Sequence, residues 1–111
     1  MSKPLVFVFV GAKSVGKARL MRRLWKQFPN SYSIIPILTT LRPPERLTNG
    51  LPHIHHERDT MLQLIDEGEL LAHWKRGDDV FGVSKFLLTS YISRSKVTTS
   101  FYFLCLYDGR L

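Results

Sequence analysis

Leu5-Val6-Phe7-Val8-Phe9-Val10 is an unbroken run of aliphatic, β-branched and aromatic residues, and it passes without a spacer into Gly11-Ala12-Lys13-Ser14-Val15-Gly16-Lys17-Ala18-Arg19. Such a run predicts a central strand buried on both faces, the usual situation in a parallel sheet. From Lys17 onward apolar residues recur at helical spacing, at Leu20, Met21, Leu24, Trp25 and Phe28, until Pro29-Asn30 stops the pattern. Strand, glycine-bounded loop and amphipathic helix thus follow one another directly, so the loop has to turn at a strand end and open a helix. Gly11 and Gly16 let the backbone wrap with its N–H groups inward, the helix mouth contributes a positive dipole end, and Lys17 contributes a point charge. Together they predict a cradle for the oxygens of a polyphosphate.

The spacing is that of a P-loop, Gly-x-x-x-x-Gly-Lys-Ser/Thr, with one position changed. Ala18 stands where the pattern has a hydroxyl residue, so the side-chain oxygen that ordinarily ligates Mg²⁺ is missing. Magnesium keeps most of its waters and is held through one or two protein oxygens, and the loss is expected to weaken the metal more than the grip on phosphate. A glycine-lysine pair arising by chance is the competing reading. The strand before it and the amphipathic helix after it speak against chance.

Further along, residues 33–38 are apolar and lead into Thr39-Thr40-Leu41-Arg42-Pro43-Pro44, where adjacent prolines force a loop. Asn49-Gly50 predicts the tight turn of a hairpin. Asp59 is the expected N-cap of a short helix carrying Met61, Leu62, Leu64 and Ile65 and ending at Gly68. Residues 70–74 and 80–83 read as strands on either side of a Gly77-Asp78-Asp79 turn, and residues 86–92 as a helix. Phe101-Tyr102-Phe103-Leu104-Cys105-Leu106-Tyr107 predicts a fully buried strand, yet only four residues follow it. Buried parallel strands need helices on both faces, so the chain is expected to be a truncated or alternatively terminated version of a larger domain.

With 111 residues the chain is one domain at most, and 44% hydrophobic with 23% charged residues is ordinary globular usage. A net charge of +7 suits nucleic acid, an anionic membrane surface or phosphorylated small molecules. Its distribution favours the last: Lys17, Arg19, Arg22, Arg23 and Lys26 lie on the first helix, Arg42 and Arg46 lie in the proline-rich loop, and no long basic run occurs. Taken alone, the helical cluster is more often a solvated face. Neither nucleic acid nor membrane is expected as a partner. The lone Cys105 cannot form an internal disulfide, the apolar start is too short for a secretory signal, and no stretch approaches the roughly 18 apolar residues of a membrane span. A cytoplasmic protein is the expectation. His53, His55, His56 and His73 have no Cys partner or i,i+4 helical pairing, so no metal-ligating residue is assigned. Trp25 and Trp74 are assigned to packing rather than ligand stacking.

In this order the features resemble the guanylate kinase superfamily, over nearly the whole chain from Leu5 to about Gly109. There a P-loop and a basic helix ending in Phe-Pro lead to a Thr-Thr-Arg-x-Pro-Arg loop, an Asn-Gly turn and a small GMP-binding subdomain closed by a Tyr-Gly-x-Ser-Lys-like segment. The counterparts here are Phe28-Pro29, Thr39-Thr40-Leu41-Arg42-Pro43-Pro44-Glu45-Arg46, Asn49-Gly50 and Phe81-Gly82-Val83-Ser84-Lys85. The resemblance implies an α/β, three-layer P-loop NTPase fold whose parallel core sheet carries a small inserted acceptor-binding subdomain at about residues 34–84. Residues 1–111 would form one guanylate kinase-like domain with its C-terminal half missing. It further implies ATP and Mg²⁺ as cofactors, the metal weakly held. Gly11, Ala12, Lys13, Ser14, Val15, Gly16, Lys17 and Ala18 would bind the ATP phosphates, with Lys17 stabilising the transferring group.

The departures fall on the acceptor side. Family enzymes use two arginines and two tyrosines on the GMP phosphate; here Arg42 and Arg46 are each slightly displaced, and His53 and Phe81 replace the tyrosines. Ile37, Ala72 and Val83 stand where the guanine-reading residues belong. A guanine edge facing them would leave donors and acceptors unpaired, at roughly 1 to 3 kcal/mol for each buried group, which argues against tight GMP binding. Ribose 1,5-bisphosphate phosphokinases, a subgroup with the same fold, are similar at other points: they also lack the hydroxyl residue after the lysine. Their His-Ile, x-Trp and Gly-Val pairs resemble His53-Ile54, His73-Trp74 and Gly82-Val83. Against that subgroup, the Asn49-Gly50 loop has the guanylate kinase length and Ala18 is not acidic.

Two functions stay open. One is phosphoryl transfer from ATP to a phosphorylated acceptor such as GMP or ribose 1,5-bisphosphate, impaired in this form. The other is a catalytically inactive guanylate kinase-like domain that binds a protein partner. The missing hydroxyl and guanine readers favour the second, the intact Gly16-Lys17 the first.

Overall fold

The structure, a computed structural model, describes residues 5–10, 16–42, 51–94 and 102–107. In chain order the elements are β1 (Leu5–Val10), α1 (Lys17–Gln27), β2 (Tyr32–Ile34), β3 (Ile37–Thr39), β4 (His53–His55), α2 (Arg58–Asp66), β5 (Leu70–Arg76), β6 (Asp79–Ser84), α3 (Lys85–Arg94) and β7 (Tyr102–Tyr107). They form two sheets. One is parallel, in the order β1-β7-β2; the other is mixed, in the order β4-β3-β6-β5.

The predicted apolar segment over residues 33–38 is split between the two sheets. Pro36 explains the break: it donates no hydrogen bond and steers Ile35 away from helical backbone, so one strand ends at Ile34 and the next begins at Ile37. On the near side the Ile35 N–H reaches Leu104 O at 3.0 Å, and on the far side the Ile37 N–H reaches Pro52 O at 3.1 Å. Alternation along β3 then sends Ile37 and Leu38 to opposite faces. Ile37 joins Met21, Ile34, Trp74, Phe81, Val83, Leu104 and Leu106 in a core shared by both sheets, while Leu38 joins Met61, Leu70 and Val80 beneath α2.

β7 is the predicted buried strand. It runs between β1 and β2, and Leu104, Cys105 and Leu106 are buried. The prediction for β1 has to be corrected. Instead of a central strand covered on both faces, β1 is, among the described residues, the edge of its sheet and paired with β7 alone, and Leu5, Phe7, Val8 and Val10 are 43 to 52% exposed. A continuous apolar run reports the absence of charge on either face; it carries no information about which strand lies alongside.

Two helix boundaries also move. The N-cap of α2 is Glu57 rather than Asp59, and Asp59 sits in the first turn, where its carboxylate faces the positive end of the helix. Residues 49 and 50, where a tight turn is expected, lie outside the described residues; β3 and β4 on either side of them run parallel. β5–β6 is a hairpin of the small sheet, the strand pair expected on either side of the Gly77-Asp78-Asp79 turn, and its loop includes Gly77 at φ 60°. α3 begins where the Ser84 hydroxyl accepts the Leu87 N–H at 3.1 Å, a capping contact. It presents Leu87, Leu88, Tyr91 and Ile92 to the core. No helix among the described residues is long and apolar enough to cross a membrane.

Candidate functional site

Residues 11–15, the body of the predicted phosphate loop, lie outside the described residues; Gly16, Lys17 and Ala18 lie within them. Gly16 is the N-cap of α1 at φ 96° and ψ 12°, a left-handed conformation that favours glycine, and no side chain caps the helix. A methyl added at Gly16 would touch nothing within 4 Å, so the requirement for glycine there is purely conformational. The first turn of α1 holds no acidic residue, and its first residue, Lys17, is buried. A helix start of this kind adds a cation to its own positive pole. Ala18 is partly buried against the core and offers no oxygen.

Of the four residues expected at the acceptor phosphate, Arg46 lies outside the described residues and the other three belong to or adjoin the small sheet. Arg42 follows β3, and its Nε–H donates to His55 Nε2 at 2.8 Å while its terminal nitrogen pairs with Glu57. Both members of that ion pair are about two-thirds exposed, 65% for Arg42 and 69% for Glu57, and an exposed pair contributes only about 0 to 1 kcal/mol. Glu57 therefore holds Arg42 only weakly. His53 stands on the same face of β4 as His55 and directs Nδ1 at Leu51 O, 2.8 Å away. A carbonyl only accepts, so Nδ1 carries the hydrogen.

Phe81 is a core ring. It is stacked on Trp74 at 5.8 Å and 9°, and the Arg76 guanidinium lies 5.3 Å from its centroid on the way to solvent. As a phenyl it offers an acceptor no hydrogen bond, in contrast to the tyrosine that the resemblance places there. Among the described residues no group of three or more His, Cys, Asp or Glu side chains is arranged to hold a metal ion.

Sequence reasoning did not anticipate the clamp under the Arg42 loop. The Thr40 hydroxyl donates to Asp79 Oδ1 at 2.9 Å and accepts the Val80 N–H at 3.0 Å, while the Thr40 N–H reaches Val80 O at 3.1 Å. Thr39, fully buried, accepts the Leu41 N–H on its hydroxyl at 3.0 Å, and its carbonyl accepts the His56 N–H at 2.9 Å. The Thr-Thr pair thus fixes the chain that carries Arg42 to both β6 and the end of β4. The one available signal was the pair itself, since hydroxyls next to a loop commonly bond backbone groups.

Between the two sheets lies a cavity of 560 Å³, lined by Val8, Leu70, Leu71, Ala72, His73, Val83, Cys105 and Leu106. Ala72 and Val83, two of the three positions assigned by resemblance to guanine reading, are in its wall; Ile37 is packed into the core. Burial pushes the Cys105 thiol up to about 11, so at neutral pH it is an uncharged, weakly polar group.

No family model matches the chain. Among curated proteins it is similar to "Guanylate kinase 1" of Oryza sativa subsp. japonica, 29% identical over 94 residues, which is 85% of this chain and 24% of that protein. Among solved structures it is similar to the crystal structure of guanylate kinase from Anaplasma phagocytophilum, with a TM-score of 0.59 and 14% identity, covering 96% of this chain and 50% of that one. The chain thus spans half or less of the length of each. The curated relative bears out the resemblance to the guanylate kinase-like superfamily, and the solved structure shows that the mixed α/β fold with its parallel sheet is similar to that of a guanylate kinase.

Proposed function

We propose that the chain supplies the nucleotide and acceptor sites of a guanylate kinase-like phosphotransferase: ATP phosphates at residues 11–18 and a phosphorylated acceptor over the small sheet, with residues 34–84 as the acceptor-binding subdomain. The observation that carries this reading is the start of α1, where a left-handed Gly16 leads into a first turn with a buried Lys17 and no acidic residue. Lys17 would hold the ATP phosphates and spread the charge that builds on the transferring group. Arg42 would exchange Glu57 for the acceptor phosphate, and the Thr40–Asp79 clamp would keep it in place, because transfer of this kind rests on positioning and electrostatics rather than on covalent catalysis.

Magnesium accompanies ATP in reactions of this class. The fit is poor here: Ala18 brings a methyl group to the position of the ligating hydroxyl, so no step is assigned to the metal. A cytoplasmic setting goes with the proposal. Titration calorimetry with ATP is expected to show binding that Lys17→Ala weakens by at least about tenfold, one charge-assisted contact at about 1.5 to 3 kcal/mol. Equal heats from the two proteins would refute the nucleotide site. Should ATP bind, ADP release with GMP and with ribose 1,5-bisphosphate in parallel tests transfer and its acceptor.

A second reading, an inactive domain that binds a protein partner, draws on the apolar Ala72 and Val83 at the acceptor wall and on Ala18. Absence of ATP binding in the wild-type chain would favour it.

A further inference from the structure

Resting on the acceptor site just proposed, we infer that the cavity between the two sheets takes the head group of the acceptor, and that this head group is apolar, not a purine or a sugar.

The cavity has the size of a small-molecule site, about 300 to 1,000 Å³ in general and 560 Å³ here. Its side chains set the chemistry. Val8, Leu70, Leu71, Ala72, Val83 and Leu106 present hydrocarbon only, and heteroatoms come from the His73 imidazole and the Cys105 thiol. A guanine edge needs several donors and acceptors met at once, and a ribose needs its hydroxyls met; an apolar ring needs none. Each polar group left unpaired in such a wall weakens binding by about tenfold.

The cavity also lies at the right place relative to the phosphate end. In the β5–β6 pairing Ala72 faces Val83 and Trp74 faces Phe81, so these four side chains share one face of the small sheet. Val83, at the cavity, and Phe81 are two residues apart on β6, about 7 Å along the strand. Across the sheet Phe81 pairs with Thr39, three residues before Arg42. The register of β5 shifts between Leu70 and Ala72, and a bulge of this sort re-aims the side chains of the strand that lines the cavity.

The test uses two phosphate monoesters on the 111-residue chain without ATP, 1-naphthyl phosphate and GMP, by calorimetry and by amide NMR shifts at residues 71–73 and 83. Both carry the same phosphate group, so the basic charge of the protein acts on each and the head group makes the difference. Naphthyl phosphate is expected to bind at least tenfold more tightly than GMP, with shifts at those amides. Ala72→Glu, which puts a carboxylate in the wall, is expected to remove at least tenfold of that affinity. If that variant does not fold, Ala72→Leu, which fills the space, is expected to do the same. GMP binding as tightly as naphthyl phosphate, no saturable binding of either, or naphthyl affinity unchanged in the folded Ala72 variant would overturn the inference. ATP titration of the wild type is a separate readout: its failure removes the nucleotide site and leaves the head-group preference standing, whereas ATP binding with GMP preferred removes this inference alone.

Discussion

Replacing Gly16 by alanine tests the start of α1 with almost no side-chain consequence. The added methyl meets nothing within 4 Å, so the penalty comes from holding an L-residue at φ 96°. That conformation costs roughly 1 to 2 kcal/mol for a residue with a Cβ. For a domain of this size each kcal/mol moves the melting temperature by about 4 to 8 °C, so a drop of about 5 to 15 °C is expected. Gly68, at φ 72° just beyond α2, is the matched control: a methyl there also meets nothing within 4 Å. Gly68→Ala should lower the melting temperature comparably. The two differ in ATP titration, where Gly16→Ala is expected to lose at least about fivefold in affinity, about 1 kcal/mol, and Gly68→Ala nothing. Calorimetric melting of the three proteins, with ATP titrations alongside, measures both. An unchanged melting temperature and ATP affinity in Gly16→Ala would refute the left-handed entry into α1, and equal ATP losses in both variants would refute its link to phosphate binding.

Other outcomes follow from the same structure. Burial raises the Cys105 thiol from 9.0 to about 11, so the unfolded chain loses this proton first; stability is whole below pH 9 and falls by about 3 kcal/mol as pH rises through 11. Denaturant melts of the wild type and Cys105→Val between pH 8 and 11 should differ in slope, and parallel slopes would count against a buried thiol. Thr40→Val removes a donor to Asp79 and an acceptor for the Val80 N–H and should cost about 1 to 3 kcal/mol in urea unfolding, with acceptor affinity falling alongside. Glu57→Gln should leave stability within about 1 kcal/mol, because its ion pair with Arg42 is exposed, while phosphate ester binding strengthens or stays level; weaker binding would show that Glu57 positions Arg42 rather than competing for it.

Elements with a dominant local cause were readable from the sequence. Helical spacing from Leu20 to Phe28 and the Pro29 stop located α1, observed over Lys17–Gln27, and the seven-residue apolar run at the end located β7. What could not be read depends on neighbours far along the chain. β1 and β7 are both apolar runs without a charge, yet among the described residues one is an edge and the other a centre, because pairing order is settled by the connections and not by the hydropathy of either strand. The split at Pro36 was legible in principle, since proline inside an apolar run argues against one strand, but the assignment of its halves to separate sheets was not. At the candidate site the residue types at Gly16, Lys17, Arg42 and His53 were visible, whereas the partners of Arg42 were not: His55 and Glu57 are 13 and 15 residues away, and alternation along His53-Ile54-His55 gave only their shared face. Ala72 and Val83 stood out as apolar where polar residues were expected; that they border one cavity became visible only with the β5–β6 register.

The link between the sheets, Ile35-Pro36, bears on how the molecule can accommodate a ligand. Its proline ring locks one backbone torsion and its isoleucine is sterically confined, while the Ile35 and Ile37 amides are each anchored to a neighbouring strand. Such a joint transmits displacement in the manner of a stiff strut. Closure over a guest would then have to be absorbed by longer connections elsewhere, and softening the strut, for instance with Pro36→Gly, would be a way to trade cooperativity between the two sheets for freedom of approach.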